Sequence, residues 1–168
     1  MKTWKKYLLD AFVIAGIVFG VQLWQARGLP EGPAPALSGT LLDGHPADLA
    51  ATVAAAGGKP VLIAFWATWC GVCKAEAGNL DHLADDVPML AVAMQSGEDG
   101  EVRRYLSQRE HRWPTINDAD GTLAARWKVV GVPTHFIVDG RGNVRFRVVG
   151  YATEWGLRAR LWWLRTFS

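Results

Sequence analysis

The run Val61-Leu62-Ile63-Ala64-Phe65-Trp66 has no charged side chain, and just beyond it stand the only two cysteines of the chain, in Trp69-Cys70-Gly71-Val72-Cys73-Lys74. Six consecutive apolar residues suit a central strand covered on both faces, which calls for a layered α/β domain around it. A dithiol at the exit of such a strand, where a helix begins, is placed to open and close as a redox pair. It is a poor structural staple, because a bridge between residues three apart closes almost no loop and constrains the unfolded chain little. Nor is it half of an evident zinc site, since His45, His82, His111 and His135 are scattered singly.

A chain of 168 residues, half of them hydrophobic, suits one domain and a short appendage. Of its net charge of +2, residues 1–27 contribute +3 (Lys2, Lys5, Lys6 and Arg27 against Asp10), leaving −1 for the remainder. The basic character therefore belongs to the N-terminal segment, and nucleic acid is excluded as the expected partner.

Tyr7–Trp24 is apolar apart from Asp10 and Gln22, follows three lysines and is bracketed by Trp4, Tyr7 and Trp24. About 18 residues of helix are just enough for a bilayer core, so the pattern predicts one N-terminal transmembrane helix with a cytoplasmic N-terminus. A cleaved signal peptide is the competing reading, but Val21-Gln22-Leu23-Trp24-Gln25-Ala26 lacks the small residues of a cleavage site. The expected division is an anchor over 1–27, an extended Pro/Gly-rich tether over 28–36, and a single domain over 37–168.

Within that domain the pattern predicts a short strand at Leu37–Leu42, a helix at Asp48–Ala56, strands at Val61–Trp66 and Met89–Met94, and a helix from Lys74 to Asp85. Glu98–Glu110 and Thr122–Trp127 are helix candidates, and Thr115–Ile116 is a brief strand. Thr134–Val138 and Asn143–Val149 alternate as strands around the turn Asp139-Gly140-Arg141-Gly142, and Thr153 caps a last helix running to about Phe167. This order predicts a mixed central sheet with helices on both sides.

Backbone N–H groups left unsatisfied at the start of a helix favour a thiolate, which assigns Cys70 the attacking role. Cys73, on the same helical face and expected to be the more buried, would resolve the mixed disulfide. The segment Lys59–Glu76 as a whole, with Val130-Gly131-Val132-Pro133-Thr134 and Phe136–Gly142 as second landmark, resembles the thioredoxin fold. More narrowly it is similar to the membrane-anchored bacterial thioredoxin-like proteins of cytochrome c maturation and to the related copper-sensitivity suppressor proteins. The resemblance spans roughly residues 37–165.

The resemblance implies a cis Pro133 packed against the dithiol, with Val132 and Thr134 beside it and Val132 offering its backbone to an extended partner chain. It implies that Trp69, with Gly71 and Val72 in the loop, touches the partner, and that Trp66 is structural. It also implies that Glu76, rather than a carboxylate at the position of Ala64, exchanges a proton with Cys73. Val72 and Gly78 depart from prolines common at those positions, and His135 is close enough to tune the dithiol or else is a surface side chain.

The expected activity is a protein-disulfide oxidoreductase, membrane-anchored and facing the bacterial periplasm, that reduces disulfides of exported proteins. It would be fed by a transmembrane thiol donor, work as a monomer and need no cofactor beyond the Cys70–Cys73 disulfide. An oxidase or isomerase role, and a copper(I)-binding dithiol without turnover, are the alternatives. A peroxidatic enzyme is disfavoured, because Ala67-Thr68-Trp69 lacks the threonine and proline arrangement that such a cysteine requires.

Overall fold

The computed structural model describes residues 27–167 and, ahead of them, Trp4, Tyr7, Val13, Gly16, Gly20 and Val21. Its elements, in chain order, are β1 (Gly32–Pro33), β2 (Ser38–Thr40), β3 (Pro46–Asp48), α1 (Leu49–Ala55), β4 (Val61–Trp66), α2 (Gly71–Ala84), β5 (Met89–Met94), α3 (Asp99–Gln108), β6 (Thr115–Asp118), α4 (Thr122–Arg126), β7 (Thr134–Val138), β8 (Asn143–Val149) and α5 (Glu154–Phe167). Six strands form one mixed sheet in the order β1-β8-β7-β4-β5-β6, and β2 and β3 make a separate antiparallel pair. β4 runs parallel to β5 and antiparallel to β7, so it occupies the interior of the sheet.

The apolar run of β4 is explained by two separate cores. Leu62, Ala64 and Trp66 face one layer with Leu80 and Leu83 of α2, Val102 and Leu106 of α3, and Leu157, Leu161 and Leu164 of α5. Val61, Ile63 and Phe65 face the other, with Leu49 and Val53 of α1, Leu123 of α4, Trp127 and Phe136. Successive side chains of a strand point to opposite faces, so a strand covered on both sides must be apolar throughout. The same parity decides where β7 sends its side chains: Phe136 and Val138 go to the α1 layer, Ile137 to the α2 layer.

The strands at Val61–Trp66, Met89–Met94, Thr134–Val138 and Asn143–Val149 have the expected bounds. β1 and β3 were not expected. Residues 28–36 are not a free tether: Gly32 and Pro33 pair with Val144 and Asn143 of β8, the Ala34 amide donates to the Gly142 carbonyl, and Leu29 is buried. The Pro/Gly composition that suggests a spacer also suits an edge strand, where a missing N–H costs nothing.

The membrane expectations require correction. Among the described residues no helix is long and apolar enough to cross a membrane. Within the described residues the fold is the α/β sheet-and-helix domain, and the expected transmembrane helix is not among their elements. The expected bilayer contact through residues 7–24 and the single-pass inner-membrane placement lose their support among the described residues, and the transmembrane thiol donor loses the anchor on which it was argued. Tyr7–Trp24 lies largely outside the described residues.

α5 packs on α2, and one side chain pins them. The Arg158 guanidinium donates to Glu154 Oε1 at 2.7 Å, to Asp86 Oδ2 at 2.8 Å and to the His82 carbonyl at 3.0 Å. Hydrogen bonds from Arg158 hold the carboxyls of Asp86 and Glu154 below the ordinary range, with His82 helping at Glu154. Both shifts are downward, so the stabilisation is complete above the unfolded carboxyl pKa of about 4 and fades as pH falls through the folded values. Arg158→Met should lower the Tm by a few degrees at pH 7, and the gap to wild type should close toward pH 2 in a thermal series. A gap independent of pH would contradict the network.

Candidate active site

Cys70 ends the loop that leaves β4 and is the N-cap of α2, with extended backbone (φ −82°, ψ 113°). Its sulfur accepts the Cys73 amide at 3.0 Å, the role that a serine or aspartate oxygen usually plays at a helix start. Gly71–Ala84 is thus a helix three residues longer at its start than the pattern from Lys74 implies, because the sulfur itself supplies the cap. Cys70 and Cys73 are joined in a disulfide, with Cα atoms 5.2 Å apart. Both are buried, each 6% exposed, so the expected contrast between an open Cys70 and a covered Cys73 is absent with the disulfide closed.

Two polar contacts hold the loop before the disulfide. The Thr68 amide donates to Ser96 Oγ at 3.1 Å, and the Trp69 indole N–H donates to the Gln95 carbonyl at 2.9 Å. Ser96 Oγ in turn donates to the Met94 carbonyl, which ties the loop to the end of β5, the parallel neighbour of β4. Trp69 is nevertheless 58% exposed and Val72 47%, an apolar rim beside an otherwise covered disulfide.

The opposite wall comes from β7. The Val132–Pro133 peptide bond is cis, and the Val132 carbonyl oxygen lies 3.5 Å from the Cys70 sulfur. Pro133 and Thr134 are buried, and Thr134 Oγ1 donates to the Gly131 carbonyl at 2.8 Å. Of the expected site residues, Trp69, Cys70, Gly71, Val72 and Cys73 form the loop and first turn, and Val132, Pro133 and Thr134 stand opposite.

Glu76, three residues past Cys73 and hence on its face of α2, is fully buried rather than partly so. Its Oε2 accepts the Ala152 amide at 2.6 Å, and its Oε1 lies 2.5 Å from Nε2 of His135. The positive φ of Gly150 (+82°) turns the chain after β8 and presents that amide, a conformation that favours glycine. His135 is itself 0% exposed, so the surface reading of this histidine is wrong.

Sequence reasoning missed Ser96, Gln95 and the Ala152 amide. Two of these three contacts are backbone groups, which leave no mark in composition. His135 carried a usable cue, because Ile137 two residues on is apolar and shares its face.

A disulfide capping the helix that follows an interior strand, opposite a cis proline, defines a thioredoxin-like disulfide oxidoreductase, with Cys70–Cys73 as its redox-active group. Comparison with known proteins agrees. A family model described as AhpC/TSA family matches residues 30–147, and the chain belongs to that family. A thioredoxin-like protein of Haemophilus influenzae is 34% identical over 111 residues, covering 66% of this chain and 66% of that protein. The thiol:disulfide interchange protein DsbE of Tatumella citrea is 30% identical over 173 residues, covering 94% and 90% respectively. A secreted Mycobacterium tuberculosis disulfide oxidoreductase homologous to E. coli DsbE has a similar structure, with a TM-score of 0.63 at 27% identity over 74% of this chain and 93% of that one.

Ser96→Ala removes the acceptor of the half-buried Thr68 amide. It should cost about 1 kcal/mol of stability and speed hydrogen exchange at Thr68 while leaving the interior of β4 protected. Unchanged exchange at Thr68 would show that Ser96 does not hold the loop.

Proposed function

We propose that the chain reduces disulfides of exported partner proteins by dithiol exchange. Cys70 attacks the partner disulfide, Cys73 resolves the mixed disulfide, and a separate dithiol reductant restores the pair. The observation that carries this reading is the closed Cys70–Cys73 disulfide at the start of α2, with a buried carboxylate one helical turn beyond it. Helix-terminal amides favour a thiolate at Cys70, in keeping with an attacking role. Cys73 must lose a proton before it can attack, and Glu76, on the same helical face, is the acceptor.

Partner docking uses the apolar rim of Trp69 and Val72, with Gly71 between Cys70 and Val72 leaving the loop bare of a side chain. Val132, Pro133 and Thr134 line the other side, and the Val132 backbone is available to an extended partner segment. Exported clients are supported by the DsbE relatives and by the secreted M. tuberculosis oxidoreductase.

Trapping tests the exchange. A Cys73→Ala variant produced in the native host should accumulate mixed disulfides through Cys70, and mass spectrometry of the attached proteins identifies the clients. Absence of such species, with the Cys70 thiol shown to be reactive, would sink the exchange reading. Thiol labelling of the wild type in intact cells tests the direction: a mostly reduced pool supports electron delivery, and a mostly oxidised pool contradicts it.

A further inference from the structure

Glu76 and His135 are buried together, with side chains 1% and 0% exposed, on the face of the sheet that carries α2. His135 pairs across the sheet with Ala64 of β4 on one side and Val148 of β8 on the other. Both neighbours are apolar, so the imidazole stands in a low-dielectric slot beside the dithiol helix. A lone carboxylate there would cost several kcal/mol, so each of its oxygens needs a donor. The Ala152 amide serves Oε2 at 2.6 Å.

Oε1 meets His135 Nε2 at 2.5 Å, closer than two atoms bearing only lone pairs approach, so a proton lies in the contact. The approach is off the line of an ideal hydrogen bond, so Oε1 and Nε2 meet as a close polar contact and make no aligned hydrogen bond, and His135 Nδ1 has no partner among the described residues. A second ring N–H pointing at nothing would cost about 1–3 kcal/mol. The ring therefore carries its proton on Nε2 and leaves Nδ1 bare.

We propose that His135 is a positioning residue for the exchange reaction. Its Nε2–H holds the Glu76 carboxylate in the orientation that accepts the Cys73 proton. This rests on the reading of Glu76 as that acceptor. In the step, Cys73 S–H transfers its proton to the Glu76 carboxylate. The thiolate electron pair forms the bond to Cys70 sulfur as the bond from Cys70 to the partner sulfur breaks. The partner sulfur leaves with that electron pair and takes a proton from water, so the dithiol is oxidised by two electrons and the partner disulfide is reduced. Without His135 at Oε1, only the Ala152 amide would hold the Glu76 carboxylate, which could then turn away from Cys73.

The test is the lifetime of the mixed disulfide in single turnovers of the reduced protein with a disulfide-containing peptide, followed by acid quench and mass spectrometry. Glu76→Gln should lengthen it about 100-fold, the lower end of general-base effects, and His135→Leu about tenfold, because the base itself remains. The double variant should be no slower than Glu76→Gln alone, since His135 acts through Glu76. His135→Gln, whose amide N–H can reach Oε1, should restore a lifetime within about threefold of wild type. First-step attack by Cys70 should be the same in all four.

If Glu76→Gln slows resolution and His135→Leu does not, this inference fails and the Glu76 reading stands. If neither slows it, the Glu76 reading fails and takes this one with it. Additive slowing in the double variant, or a His135→Gln variant as slow as His135→Leu, also overturns the role, because packing alone would then explain the histidine. Should the leucine variant not fold, His135→Met, flexible and of similar volume, takes its place in the same comparison.

Discussion

A single hydrogen bond, from the Cys73 amide to the Cys70 sulfur, places the redox pair at the start of a helix. A sulfur in the capping position occupies the place where helix amides converge, so the atom that must carry negative charge is already among donors. Everything around it keeps that sulfur in place. β4 delivers the loop from the middle of the sheet, Ser96 and Gln95 hold the loop from the end of β5, and the Val132 carbonyl closes over the sulfur from the start of β7. Three neighbouring strand ends thus converge on one atom.

The sheet also determines which polar groups the dithiol helix can meet. Period-2 parity puts Ala64, His135 and Val148 side by side on the face under α2, while Phe65 and Phe136 pack with Trp127 on the other. Position 64 is a buried alanine, and the buried Glu76 carboxylate comes from the helix itself. Glu76 is then fixed from two directions, by the Ala152 amide that follows β8 and by the His135 ring on β7. Arg158 keeps α5, and with it the Ala152 turn, against the far end of the same helix.

Much of this was legible in the order of residues, for physical reasons. Val61–Trp66 and Met89–Met94 are apolar because both faces are covered, so their bounds follow from polarity alone. The Asp139–Gly142 turn marks its hairpin by residue chemistry. The pairing of Gly32 and Pro33 with β8 was not legible, because an edge strand of two residues carries no periodicity. The depth of Glu76 and His135 was misjudged because a polar residue within a helix or strand pattern is ordinarily solvated. Only the tertiary register shows that the two face each other. The anchor expectation rested on hydropathy over residues 7–24, and among the described residues no helix has the length and apolarity it required.

The central claim is that Cys70 attacks and Cys73 resolves. Rapid-quench mass spectrometry of the reduced wild-type protein mixed with a disulfide peptide, with digestion to locate the adduct, tests it most directly. The account predicts a transient adduct on Cys70 alone, followed by the closed Cys70–Cys73 disulfide and two free thiols on the peptide. An adduct that forms first on Cys73, or disulfide closure without release of peptide thiols, would contradict it.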